Sequence, residues 1–578
     1  MRKLIRFAGK YNKYLLLTPL LIIGEVVMET LIPQFIAQLV NLISAADETP
    51  LDFKQLLASG GIMVLMATFS LIFGALAART AAQGAMGFAK NLRHGLFEKV
   101  QQYSFKNIDK FSTASLVTRL TTDVNQTQNT MMMLVRMAVR SPIMFCMAFF
   151  WAWKLNPNLI TILLVAVPIL FAGMYVIIRL AFPRFTVMMK KYDALNASVQ
   201  ENLSAIRVVK AFVREDFEKE KFAYSSDDVQ NAQRAAERVV ILSSPLMQLL
   251  MYGCIVAVLW LGGNQIVAGT MAIGDLTAFI TYITQILMSL MMLSFIFVSF
   301  VMSKASIARI NEVLEEKPDI SNPDNAQNTV ADGSITFEHV DFGYTADKAR
   351  TVLRDINLTI RSGETVGLIG GTGSAKSTLV SLIPRLYDVT AGRVTVGGRD
   401  VRTYDTTALR DAVAMVLQKN VLFSGTIEEN LRWGNESATQ EQLEAACSVA
   451  QADAFVKSFP NGYQTDLGQG GVNVSGGQKQ RLCIARALLK KPKVMILDDA
   501  TSAVDTATDA KIREALRTRM PETTKIIIAQ RITSVMDADQ IIVLDDGRIV
   551  DIGTHDELMR SSEIYREVYT SQQKGAEA

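Results

Sequence analysis

What limits the fold of this chain most is a set of apolar runs too long and too free of charge to pack in water. Residues 55–78, 155–178, 239–264 and 276–303 carry no Asp, Glu, Lys or Arg. Each can cross about 30 Å of hydrocarbon, which takes roughly 20 residues at helical rise. Two more runs qualify in spite of charge: 14–40 holds Glu25 and Glu29, and 132–153 holds Arg136 and Arg140. Six spans put both ends of the chain on one side, and the basic residues choose that side. Arg2, Lys3, Arg6, Lys10 and Lys13 precede the first span, seven Lys or Arg lie between Arg79 and Arg119, and eleven between Arg179 and Arg238. The opposite loops hold only Lys54 and Lys154. Both termini and both long connections are therefore expected in the cytoplasm.

Composition agrees with a chain that is half membrane. Of 578 residues, 49% are hydrophobic and 20% charged, and the net charge is +3, too balanced for a nucleic-acid binder. Cys146, Cys254, Cys447 and Cys483 stand singly, with no CxxC pair and only three histidines, which excludes a disulfide framework or a zinc site. The basic, amphipathic "MRKLIRFAGKYNKY" is followed by no small-residue cleavage site and reads as a retained segment.

The connections 80–127 and 182–238 mix Ala, Gln, Glu, Lys and Arg with recurrent apolar positions, so the spans are expected to run on as helices into the cytoplasm. Residues 1–315 thus form an all-α transmembrane domain of six helices with long cytoplasmic extensions. Pro, Asn and Asp mark a linker at 316–333, and residues 334–578 alternate short β-rich runs with helices, as an α/β domain does.

Within that domain "ETVGLIGGTGSAKSTLVSLI" reads as a strand, a glycine loop and a helix start. A phosphate chain needs inward backbone N–H groups, glycines that let the backbone approach, a Lys charge and a hydroxyl for Mg²⁺. Gly370, Gly371, Thr372, Gly373, Ser374, Ala375, Lys376, Ser377 and Thr378 make up that loop. Ala375 stands where a last glycine is usual; its methyl costs little if its φ is negative.

Further motifs follow in order: Tyr344 in "FEHVDFGY", Gln418 in "MVLQKNVLFSGTIEENL", "VSGGQKQRLCIARAL", the buried strand "KVMILDD" and "SAVD". Together they resemble the ATP-binding cassette of ABC transporters. With six spans ahead, nearly the whole chain resembles an ABC exporter half-transporter. The resemblance implies ATP and Mg²⁺ as cofactors. It implies that Tyr344 stacks on adenine, Lys376 neutralises the β and γ phosphates, Ser377 and Gln418 ligate Mg²⁺, and Asp498 holds the metal through water. It implies that Ser475, Gly476, Gly477 and Gln478 act in trans, on the γ-phosphate bound to a second cassette.

Two positions depart from the family pattern at the water-activating step. The Glu that positions the attacking water is Asp499, and the switch-loop His is Gln530 in "IIIAQRITSV". A shift of about 1 Å in a catalytic group costs on the order of 10²-fold in rate, and Gln cannot carry the proton or charge of an imidazole. Gln469, where many relatives have an acid, is a lesser departure. The losses fall on water activation alone, so the chain looks like the degenerate-site subunit of the bacterial heterodimeric exporters. A homodimer with two slow sites and a nucleotide-gated channel or sensor are the alternatives.

The resemblance also places coupling helices at the tips of the two extensions, the first around Phe111 and Asp123, the second around Phe212 to Glu215. For cargo, Met131 to Met133, Met288, Met291 and Met292, with Gln285, Ser289, Ser294 and Ser299, are compatible with hydrophobic or amphipathic compounds, multiple drugs or lipids. Met is equally ordinary lipid-facing filling. Glu25 and Glu29 are costly in a bilayer and face the cavity or the outer rim, where they meet a cationic group or another helix.

Overall fold

A computed structural model describes residues 3–44, 53–345, 351–500 and 503–577. The chain divides into two compact units, one of residues 1–101 and 113–315, the other of 102–112 and 316–578.

In the first unit the long helices are α1 (Asn12–Ser44), α2 (Phe53–Gln101), α5 (Val124–Leu155), α6 (Ile160–Ser204), α9 (Ser243–Val267) and α10 (Ile273–Glu315). At 1.5 Å per residue the 49 residues of α2 measure about 74 Å, more than twice a hydrocarbon core. Helices α2, α6 and α10 therefore reach far beyond the bilayer, α6 turning back through α7 (Ile206–Ala211) into α8 (Glu215–Val240). Among the described residues, six helices are long and apolar enough to span.

The buried charged side chains described in this unit, Glu25, Arg119 and Asp123, are each paired. Arg140 on α5 bonds both Glu25 and Glu29 on α1, the latter at 2.6 Å, so the two acids serve helix-to-helix contact. Gly74 of α2 lets that cluster form, since a Cβ there would lie 3.2 Å from the Glu25 carboxylate. Asp123 is fully buried and bonded by both Nε and a terminal nitrogen of Arg309. The hydroxyls of Ser289 and Ser294 turn back to the carbonyls of Ile286 and Leu290 on their own helix, as serines in apolar helices do.

The second unit begins with α3 (Phe105–Phe111), capped by Ser104, which sequence alone had placed with the cytoplasmic extension; α4 (Thr113–Thr118) follows it in the first unit. Two sheets follow. Strands β1 (Ile335–Phe342), β2 (Leu353–Ile360), β4 (Ala391–Val396) and β5 (Arg399–Asp400) form an antiparallel sheet in the order β2-β1-β4-β5. Strands β3 (Thr365–Ile369), β6 (Val413–Val416), β7 (Val494–Asp498), β8 (Thr524–Ile528), β9 (Gln540–Asp545) and β10 (Arg548–Gly553) form the other, in the order β10-β9-β3-β8-β7-β6, parallel except for edge strand β10. A parallel sheet is covered on both faces, which is why all of "VMILD" in β7 is buried. Each of the four apolar side chains, Val494 to Leu497, contributes about 1.5–3 kcal/mol. The helices are α11 (Lys376–Ser381), α12 (Thr406–Ala412), α13 (Ile427–Arg432), α14 (Gln440–Val449), α15 (Asp453–Ser458), α16 (Gly476–Leu488), α17 (Thr506–Arg519), α18 (His555–Ser561) and α19 (Glu563–Glu577).

Candidate functional site

Strand order explains why residues far apart in sequence converge. The glycine loop follows β3, Gln530 follows β8, Asp498 ends β7 with Asp499 just past it, and Gln418 follows β6; β3, β8, β7 and β6 are neighbours in that order. All four segments leave the carboxyl ends of parallel strands, where α/β folds place ligands.

The loop's glycines have separate reasons. A Cβ on Gly370 would sit 2.0 Å from the Leu544 carbonyl oxygen of β9, whereas Gly373 takes a positive φ of 86°. Ala375 also has a positive φ, 72°, contrary to the negative value that would have made its methyl cheap. The left-handed region costs an L-residue about 1–2 kcal/mol, so the loop shape is kept at a cost in strain. Lys376 Nζ donates to the carbonyls of Gly370 (2.8 Å) and Gly371 (2.7 Å) and to Ser374 Oγ (3.1 Å), folding over its own loop. Burial lowers the pKa of this ammonium, against the opposing pull of Asp498 and Asp499.

Ser377 Oγ donates to Asp498 Oδ1 at 2.9 Å. Asp498 is 4% exposed; burial lifts its carboxyl above the ordinary range, Ser377 and Lys376 oppose the lift and Asp499 adds to it. A hydroxyl and a carboxylate side by side form a hard-oxygen pair that suits Mg²⁺. Gln418 is exposed and its side chain makes no hydrogen bond among the described residues; it stays outside this contact.

Tyr344 is 45% exposed, too open for a core aromatic, and its hydroxyl meets Thr378 Oγ1 at 3.0 Å. Its ring stands perpendicular to that of Tyr387, 5.2 Å between centroids, and near-perpendicular to Phe342 at 5.0 Å.

Asp499 has φ 49°, a left-handed conformation in which Asp is enriched among non-glycine residues. Its backbone N–H donates to the Ile528 carbonyl at 3.0 Å, and its Oδ2 accepts from Gln530 Nε2 at 2.8 Å. The two departures from the family pattern are thus bonded to each other. Gln572 of α19 holds the Gln530 segment from behind: its amide donates to the Gln530 carbonyl (2.7 Å) and accepts from Ile532 N (2.9 Å).

In "VSGGQ" the serine and glutamine cap their own helix. Gln478 N donates to Ser475 Oγ (3.3 Å) and Ser475 N to Gln478 Oε1 (2.9 Å), a reciprocal capping box on α16. A Cβ on Gly477 would lie 2.7 Å from the Ala503 carbonyl oxygen, and Gly476 has only ordinary contact with Ala503. Gln480, one turn on and 4% exposed, donates to the Asp499 carbonyl (3.4 Å) and accepts from Ala503 N (3.0 Å). Ser502 of the "SAVD" run lies outside the described residues. Sequence reading missed Gln480, Gln572 and Tyr387; each acts through a contact across the fold, and only Gln480 lies within a quoted motif, two residues past the "VSGGQ" it was read for.

Comparison with known proteins agrees with this geometry. Residues 15–290 match the family model of the ABC transporter transmembrane region and residues 353–502 that of the ABC transporter. The chain belongs to the ABC transporters, with spans and ATP-binding domain fused as in exporters. It is 37% identical over 577 residues to the uncharacterized ABC transporter ATP-binding protein YfiB of Bacillus subtilis (strain 168), covering 99% of this chain and 98% of that one. It is 32% identical over 489 residues to the ATP-dependent lipid A-core flippase of Desulfotalea psychrophila (strain LSv54 / DSM 12343), covering 84% of each. A solved structure of a bacterial Atm1-family ABC exporter with ATP bound has the same fold, with TM-score 0.84 at 24% identity, over 97% of this chain and 99% of that one.

Proposed function

We propose that this chain is the degenerate-site subunit of a heterodimeric ABC exporter in a bacterial cell membrane, with termini and cassette in the cytoplasm. It holds ATP at its own glycine loop and lends Ser475, Gly476, Gly477 and Gln478 to the competent site of a partner half-transporter with Glu and His at the positions of Asp499 and Gln530. The observation that carries this reading is the Gln530–Asp499 hydrogen bond beside an intact Ser377–Asp498 pair. The one carboxylate placed to activate water is engaged by an amide that cannot take up a proton. Nucleotide-holding groups remain. Tyr344 faces the base, Lys376 turns from its loop carbonyls to the phosphates, and Ser377, Asp498 and Gln418 hold Mg²⁺, whose charge offsets that of the phosphates.

The cargo is a hydrophobic or amphipathic compound. Among the relatives a lipid A-core flippase supports an amphipathic cargo, as do the half-exposed Met288, Met291 and Met292 of α10. Exposed Phe212 and Val213, between α7 and α8, are the docking point for the partner's cassette. The test is Mg·ATPase of the purified chain alone and together with the half-transporter that co-purifies with it. Slow turnover alone and brisk turnover together are expected; brisk turnover by the chain alone overturns the reading in favour of a homodimer.

A further inference from the structure

Tyr387 stands at a junction that nucleotide binding does not itself require. Its hydroxyl donates to Asp109 Oδ2 at 2.7 Å, and its ring meets Phe105 edge-on at 6.0 Å, both on α3. On its other side the same ring meets Tyr344 at 5.2 Å and Phe342 at 5.7 Å. Helix α3 is held to the segment after α10 as well: Asn107 Nδ2 donates to Glu316 Oε1 (3.0 Å) and to the Lys317 carbonyl (3.2 Å), and Lys110 pairs with Glu316 at 2.6 Å. Burial, with the Asp109 carboxylate beside it, pushes the Tyr387 phenol well above its ordinary pKa, so it stays a donor.

Two routes lead from nucleotide to α3, and both pass through Tyr344. The phosphate route enters by the Thr378 hydroxyl on α11; the base route enters by the Tyr344 ring itself. Thr378 meets only the rim hydroxyl of Tyr344, whereas a stacked base covers the ring and fixes its plane. The Tyr344 plane in turn sets where the perpendicular Tyr387 ring rests, and hence the bond to Asp109.

We propose that α3 senses the nucleobase rather than the triphosphate, and that Tyr387 is the positioning residue that carries this signal from Tyr344 to Asp109. The inference rests on the reading that Tyr344 stacks on adenine. A nucleotide that fills only the glycine loop leaves α3 as it is, and one with a stacking base orders it.

Amide hydrogen exchange of residues 105–111 in the purified full chain tests this, with saturating Mg·ATP or Mg·tripolyphosphate as probe. Mg·ATP is expected to slow exchange there by about threefold to tenfold, the size one hydrogen bond supports. Mg·tripolyphosphate is expected to leave it unchanged. Tyr387→Phe keeps the ring, loses the bond to Asp109 and abolishes the response while ATP affinity holds. Tyr344→Phe loses the Thr378 contact and keeps the response. Equal slowing by tripolyphosphate, an undiminished response in Tyr387→Phe, or no response to ATP overturns the proposal. Failure of the stacking premise reads differently: ATP affinity then stays unchanged in Tyr344→Leu, whatever α3 does.

Discussion

Gln530 donates its side-chain amide to Asp499 across 2.8 Å, so the two residues that break the family pattern form one unit. Changing either alone leaves the unit half made. Asp499→Glu puts a longer acid in a left-handed position and keeps the amide that engages it; Gln530→His frees an acid that is still one methylene short. The double variant is expected to raise turnover at this site by about 10²-fold, each single change far less. Single-turnover hydrolysis by the dimer with the partner's own acid replaced measures it, and simple additivity of the two changes would contradict the coupling.

Ala375→Gly removes left-handed strain of about 1–2 kcal/mol and adds unfolded-chain entropy of about 0.4–1 kcal/mol. Strain is the larger of the two. A net gain of roughly 0.5–1 kcal/mol raises the melting temperature of the cassette by about 1–4 °C. Differential scanning calorimetry checks the direction, and a fall in melting temperature would mean the methyl packs usefully.

Asp498→Asn separates stability from function. Burial raises the Asp498 pKa above its ordinary 3.8, so its ionised form is the disfavoured one in the folded protein. That cost is present above the folded-state pKa and disappears as pH falls through it. Nucleotide-free Asn variant should therefore melt higher than the native chain at pH 7, the gap shrinking towards pH 4, while Mg²⁺-dependent ATP binding is lost. A gap that does not vary with pH would show that charge is not its source.

Arg140→Met leaves the Glu25 carboxylate, 8% exposed, without its counter-ion. Breaking a buried pair on one side costs about 3–5 kcal/mol, whereas replacing all partners by neutral groups is often tolerated. Detergent-solubilised Arg140→Met is expected to aggregate on heating well before the native chain. The triple change with Glu25→Gln and Glu29→Gln should recover most of the loss; failure to recover would assign Arg140 a packing role instead.

Gln572→Leu deletes two hydrogen bonds to the backbone around Gln530, at about 0.5–1.5 kcal/mol each. Exchange at the Ile532 amide is expected to quicken by about tenfold, with α19 still docked through buried Tyr565. Quickening along all of α19 would instead mark Gln572 as part of the docking.

Much of this arrangement is legible in the sequence. Apolar runs without charge leave a chain few options, and the glycine loop, Asp498 and "VSGGQ" are picked out by local spacing. What escaped was set by approach across the fold. The sign of φ at Ala375 depends on how the loop turns from β3 into α11. The bond from Arg309 to Asp123 joins residues far apart along the chain, which no local spacing announces. Tyr387 is one aromatic in "RLYD" and gains its place only where α3 and the Tyr344 ring close on it.

Gly477 lies so close to the Ala503 carbonyl that no side chain fits, and Gln480 ties the same strip to the Asp499 backbone. Selection on such a chain acts in two grades. Substitutions that change only what a side chain can do to water, as at Asp499 and Gln530, leave this seam intact. On the proposed heterodimer reading, substitutions that alter its thickness would displace the helix lent to the partner's site, so this seam would stay under constraint even where hydrolysis is lost.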